Sequence, residues 1–182
     1  MTKRSLALSI AALLAGAAVL TGPAAAPSAG EPRPPLRWAA AGSAEIHPGT
    51  QMYTAGSQCS ANFVFRDRAR RVYVGYAAHC AGKGQATETD GCSTGSVPLG
   101  TRVTFNRGGT ISGEGSRIAT GRLVYSSWRT MQRLGEDDRQ ACAYNDFALV
   151  RLKRGDAAKV NPSIPFWGGP TGIDTDGTAA GD

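Results

Sequence analysis

The feature that most limits what this chain can become is a series of short segments in which apolar residues alternate with their neighbours. "NFVFR" at 62–66 alternates Phe63 and Phe65, and "RRVYVGY" at 70–76 alternates Val72 and Val74. "TRVTF" at 101–105 alternates Val103 and Phe105, and "SRIATGRLVY" at 116–125 carries Ile118, then Leu123 and Val124. "FALVRL" at 147–152 is nearly all apolar, as a strand buried on both faces is. Turns rich in Gly, Asn or Asp separate the segments, "NRGGT" at 106–110 among them. Several short strands between turns predict an all-β fold, a closed antiparallel barrel or a sandwich. One short helix is expected over "SWRTMQRL" (127–134), where Trp128, Met131 and Leu134 recur at every third position as core residues.

The chain has 182 residues. Its start places Lys3 and Arg4 before an apolar run from Leu6 to Leu20, followed by small residues with Ala24 and Ala26 spaced for cleavage. That is the order of a secretory signal peptide over 1–26, and the run is short of the about 20 residues of a spanning helix. Export predicts an extracellular protein with no membrane contact after cleavage. Residues 27–52, rich in Ala, Pro and Gly, read as an irregular arm or pro-segment. The barrel is expected over 53–157. Residues 158–182, dominated by Gly, Pro and small polar types, read as a strap leaving a domain. Ile164, Phe166 and Trp167 within the strap suggest that it packs on something.

The formal net charge is +6, with two of the positive charges in the expected leader. Such a mildly basic balance favours solubility over nucleic-acid binding. The densest basic stretch, "RDRARR" at 66–71, lies between two strand segments and reads as a solvated hairpin turn. Neither aromatic platforms nor a longer basic stripe accompanies it. "GGTISGEG" lacks the Lys-Ser/Thr ending of a phosphate loop.

There are four cysteines, Cys59, Cys80, Cys92 and Cys142, and an even count in an exported chain predicts two disulfides. Three pairings are open. The competing assignment is a His/Cys metal module, but no C-x-x-C or H-x-x-x-H spacing occurs, so no metal and no cofactor is expected. Of only two histidines, His79 abuts Cys80 directly after a strand segment. Asp146, in "AYNDFALVRL", stands at the mouth of the most apolar strand. A carboxylate there needs a partner. A histidine supplies one, because the carboxylate fixes its tautomer and stabilises the imidazolium. From residue types alone, a structural His–Asp hydrogen bond explains the pair equally well.

"CSANFVFRDRARRVYVGYAAHCAG" resembles the segment around the catalytic histidine of trypsin-like serine proteases, and "YNDFALVRL" resembles the same family's Asp-containing strand. The two occur in the family's order, and the resemblance spans roughly residues 53–170. It is closest to secreted bacterial members. It implies that His79 is a general base, that Asp146 orients it, and that the bridges are Cys59–Cys80 and Cys92–Cys142. It also implies a protein or peptide substrate.

The family's nucleophilic serine, usually within "GDSGG", has no counterpart here. Ser96 and Ser112 have glycine neighbours, but both precede Asp146, against the family order. The "IVGG"-type N-terminus of some relatives is absent, with "SAEIHPGT" in its place. The expectation is therefore the first of the family's two barrels plus the strap into the second, inactive alone. The oxyanion hole and the specificity pocket would belong to the second barrel. The competing functional assignment is a non-catalytic secreted β-barrel domain that binds protein or surface ligands.

Overall fold

A computed structural model describes residues 37–84 and 88–169. Every described residue belongs to one compact unit. The expected signal peptide, the first part of the arm and the last part of the strap lie outside the described residues.

Seven strands form one antiparallel sheet. In chain order they are β1 (Gln51–Thr54), β2 (Ser57–Ser60), β3 (Val64–Arg66), β4 (Val72–Tyr76), β5 (Arg102–Arg107), β6 (Ser116–Ser126) and β7 (Ala148–Leu152). Their order across the sheet is β2-β1-β5-β6-β7-β4-β3. The all-β expectation holds at this level. The ladder is open, because among the described residues the edge strands β2 and β3 do not pair with each other.

Alternation places the core as the sequence predicts on β4 and β5, where Val72, Val74, Val103 and Phe105 are all buried. On β6 the inward set is Ala119, Gly121 and Leu123, so Ile118 is only half-buried. An irregularity between Leu123 and Tyr125 then adds Val124 as an extra residue and turns Tyr125 outward. Small residues face large ones across the ladder: Gly121 lies opposite Val103, and Ala119 opposite Phe105. A Cβ on Gly121 would stand 2.5 Å from Val150 Cγ1 and 2.8 Å from the carbonyl oxygen of Arg151, which is why no side chain fits there.

Helix α1 (Ser127–Leu134) occupies the expected span and ends at Gly135, whose φ of 68° lets its N–H turn back to the carbonyls of Met131 and Gln132. Trp128 and Met131 are buried, whereas Leu134 is exposed, against the expectation for all three. A second short helix, α2 (Arg139–Tyr144), has no apolar period to announce it. Asp138 caps it, its carboxylate accepting from the N–H groups of Gln140 and Ala141.

"RDRARR" is the β3–β4 hairpin turn, as expected. The Asp67 carboxylate accepts from the backbone N–H and guanidinium of Arg71 and from the Tyr73 hydroxyl. Ahead of β1 the chain is mostly irregular but tied down: Ala39 N–H donates to the carbonyl of Val160, and Ile46 is fully buried. The strap residues differ from expectation. Phe166 and Trp167 are among the most exposed large side chains described, and Ile164 is also exposed.

Two disulfides staple the unit, Cys59–Cys80 and Cys92–Cys142, with Cα–Cα distances of 6.1 and 5.1 Å. They join the cysteines that the resemblance pairs. Two disulfides are compatible with an oxidising, extracellular setting. Among the described residues, no helix is long and apolar enough to cross a membrane.

Candidate functional site

Strand register brings His79 and Asp146 together. Strands β4 and β7 are antiparallel neighbours, with Tyr76 opposite Ala148. The chain leaving β4 and the chain entering β7 are therefore at the same end of the pair. His79 follows β4 within a 3-10 turn, Ala78–Ala81, and Asp146 lies two residues before β7. Ala78, Cys80 and Ala81 of that turn are buried, which leaves His79 as its outward residue.

Both oxygens of Asp146 are used on one partner. Oδ2 lies 2.6 Å from Nδ1 of His79, and Oδ1 accepts the backbone N–H of His79 at 2.8 Å. The double contact holds the imidazole with Nδ1 toward the carboxylate. Nδ1 then carries the proton toward the carboxylate, and Nε2 is the free lone pair. Among the described residues Nε2 has no hydrogen-bond partner. The imidazole side chain is 36% exposed and that of Asp146 28%, so a group from outside can reach the ring.

Two supports surround the pair. The Cys59–Cys80 bridge ties the residue after His79 to β2. On the other side, Ser127 brackets Asp146: its Oγ donates to the carbonyl of Asn145 at 2.6 Å and accepts the N–H of Phe147 at 3.0 Å. Ser127 N–H also donates to the carbonyl of Phe147. Sequence reasoning missed Ser127, because a serine at a strand–helix junction has no local signature. Only the fold brings residue 127 beside residues 145–147.

The two candidate serines are elsewhere in function. Ser96 is buried, bridges to Gly82 through its backbone, and its Oγ has no hydrogen-bond partner. Ser112 is exposed, with its Oγ 3.2 Å from Thr110 Oγ1. Neither is hydrogen-bonded to His79. His79 does stand within 4.8 Å of the sulfurs of Cys59 and Cys80. Those sulfurs are bonded to each other, so the cluster offers no thiolate to a cation. The other histidine, His47, places Nδ1 2.7 Å from the carbonyl oxygen of Pro48, away from any carboxylate. No protein-family model, no curated protein and no solved structure matches this chain.

Proposed function

We propose that this chain carries the general base and the orienting carboxylate of an exported trypsin-like serine endopeptidase, on an antiparallel β unit equivalent to that family's first barrel. The observation that carries the reading is the two-point grip of Asp146 on His79 with Nε2 left free. The open Nε2 is the position at which a general base takes a proton, and the ring's exposure lets a reacting group reach it. In the proposed reaction a serine hydroxyl attacks the peptide carbonyl while Nε2 of His79 takes its proton. The imidazolium, stabilised by Asp146, then returns that proton to the leaving amine. The serine and the oxyanion donors are contributed by polypeptide other than residues 37–84 and 88–169.

The test uses the native product that contains this chain, captured from culture supernatant with an antibody to it. Labelling by a fluorophosphonate probe and hydrolysis of a peptide ester are expected, both abolished by His79→Ala. Asp146→Asn lowers turnover by about 10⁴-fold, because the carboxamide no longer enforces the tautomer. Hydrolysis that survives His79→Ala sinks the assignment. The second reading, a non-catalytic secreted binding domain, is favoured by the lack of a serine bonded to His79 among the described residues. A captured product with neither labelling nor hydrolysis establishes that reading instead.

A further inference from the structure

Net charge and linear spacing conceal the chain's most concentrated charge. Arg102 on β5 stands directly opposite Arg122 on β6, and Arg122 stands directly opposite Arg151 on β7. Three guanidinium side chains thus form one row across three adjacent strands, about 5 Å apart from strand to strand. Like charges placed directly opposite one another destabilise a sheet. Guarding a sheet edge does not explain them, since β5, β6 and β7 are interior strands of the order.

The row forms the floor of a groove of about 690 Å³, within the usual size of ligand sites. Arg117, Lys153 and Arg154 add to its walls. Its one lining carboxylate, Asp156, is held by Lys159 Nζ at 3.1 Å. Among the described residues no carboxylate is ion-paired with Arg102, Arg122 or Arg151; Arg122 donates to the carbonyl of Gly100. No aromatic side chain lines the groove itself, and one, Tyr73 on β4, stands opposite Arg151 at the end of the row.

We infer that this groove binds an unbranched polymer carrying repeated sulfate or phosphate groups and no stacking bases. Guanidinium forks match tetrahedral oxyanions bidentately, and strands hold them at a fixed pitch. A single small anion would leave most of the row unpaired, so the occupant is extended. Single-stranded nucleic acid is disfavoured because it needs a run of aromatic faces for successive bases, and only Tyr73 adjoins the row. The inference stands apart from the His79–Asp146 site and does not depend on it.

The experiment titrates the full chain against a fluorescein-labelled heparin octasaccharide and, separately, long-chain inorganic polyphosphate, reading anisotropy at several salt concentrations. Saturable binding to either is expected, and the tighter of the two identifies the source as sulfated sugar or phosphate. The triple variant R102Q/R122Q/R151Q is expected to bind about 100-fold more weakly. Its slope of log affinity against log salt should be shallower by about 2 to 3. Relief of the opposed charges keeps its melting temperature at or above that of the parent. Arg151→Gln alone serves if the triple variant fails to fold, with about tenfold weakening expected. The comparison variant R37Q/R133Q/R139Q removes the same charge from exposed positions outside the groove. Equal weakening by both triples reduces the effect to net charge and overturns the proposal. So does single-stranded oligo(dT) binding as tightly as the octasaccharide.

Discussion

His79 donates two hydrogen bonds to Asp146, but the residue that braces Asp146 from both flanks is Ser127. Its hydroxyl is the only side-chain group described that bonds to backbone on both flanks of the carboxylate, and it is fully buried. Truncating it leaves the carbonyl of Asn145 and the N–H of Phe147 without their side-chain partner. Each such hydrogen bond contributes about 0.5–1.5 kcal/mol, and two are lost. Ser127→Ala is therefore expected to lower unfolding stability by about 1–3 kcal/mol in urea titrations, and Ser127→Thr by less if the hydroxyl keeps its place. The same variant should broaden or shift the His79 Nδ1–H proton resonance, because the loop holding Asp146 loosens. An unchanged resonance together with lost stability would confine Ser127 to a structural part.

At the scale of elements, the site is the meeting of a strand end, a 3-10 turn and a strand start. Strands β4 and β7 bring the two loops together, and the Cys59–Cys80 bridge anchors the turn from behind. The bridge spans a sequence separation of 21, for which the chain-entropy argument gives about 3 kcal/mol. A Cys59→Ala/Cys80→Ala double variant is expected to lose about that much stability. Amide hydrogen exchange should speed up most at residues 78–82, next to the lost anchor. Uniform acceleration over the whole sheet would instead make the bridge a global staple with no special hold on His79.

For the molecule as a whole, the buried Tyr76 hydroxyl couples folding stability to pH. Tyr76 is fully buried on β4, with its hydroxyl 3.0 Å from Thr54 Oγ1. Burial pushes its pKa up to about 12, opposed by the hydrogen bond with Thr54. In the unfolded chain a tyrosine ionises near 10. Between about pH 10 and 12 the unfolded chain gives up a proton that the folded chain keeps, so folding stability falls as pH rises through that window. The loss is on the order of 2–3 kcal/mol. Tyr76→Phe should be less stable than the parent at pH 7 and should lack this alkaline decline, as read from melting temperatures between pH 8 and 12. An equal decline in both proteins would place the alkaline sensitivity in other groups.

The positions of β3 to β7 and of α1 were legible in the sequence, because burial on one face imposes a period that local inspection detects. The chemical types of His79, Asp146 and the four cysteines were legible too. Strands β1 and β2 were not read as strands; β2, "SQCS", is polar at three of its four positions and has no apolar alternation to mark it. Helix α2 announces itself only through the Asp138 cap. Leu134 was placed in the core by period, yet it sits exposed at the helix end, while Ile118, skipped by the register shift between β5 and β6, packs against the core only partly buried. By itself, then, the sequence determined which segments with apolar alternation are strands, which residues can bond and how much charge the chain carries. Tertiary structure alone decided that Asp146 grips His79 at two points, that Ser127 braces them, and that Arg102, Arg122 and Arg151 share one row. The physical reason is that register between strands far apart in the chain is a nonlocal quantity. It follows from fitting residues of matched size, such as the bare Gly121 against Val103 and Leu152, across the sheet, and no local pattern encodes it.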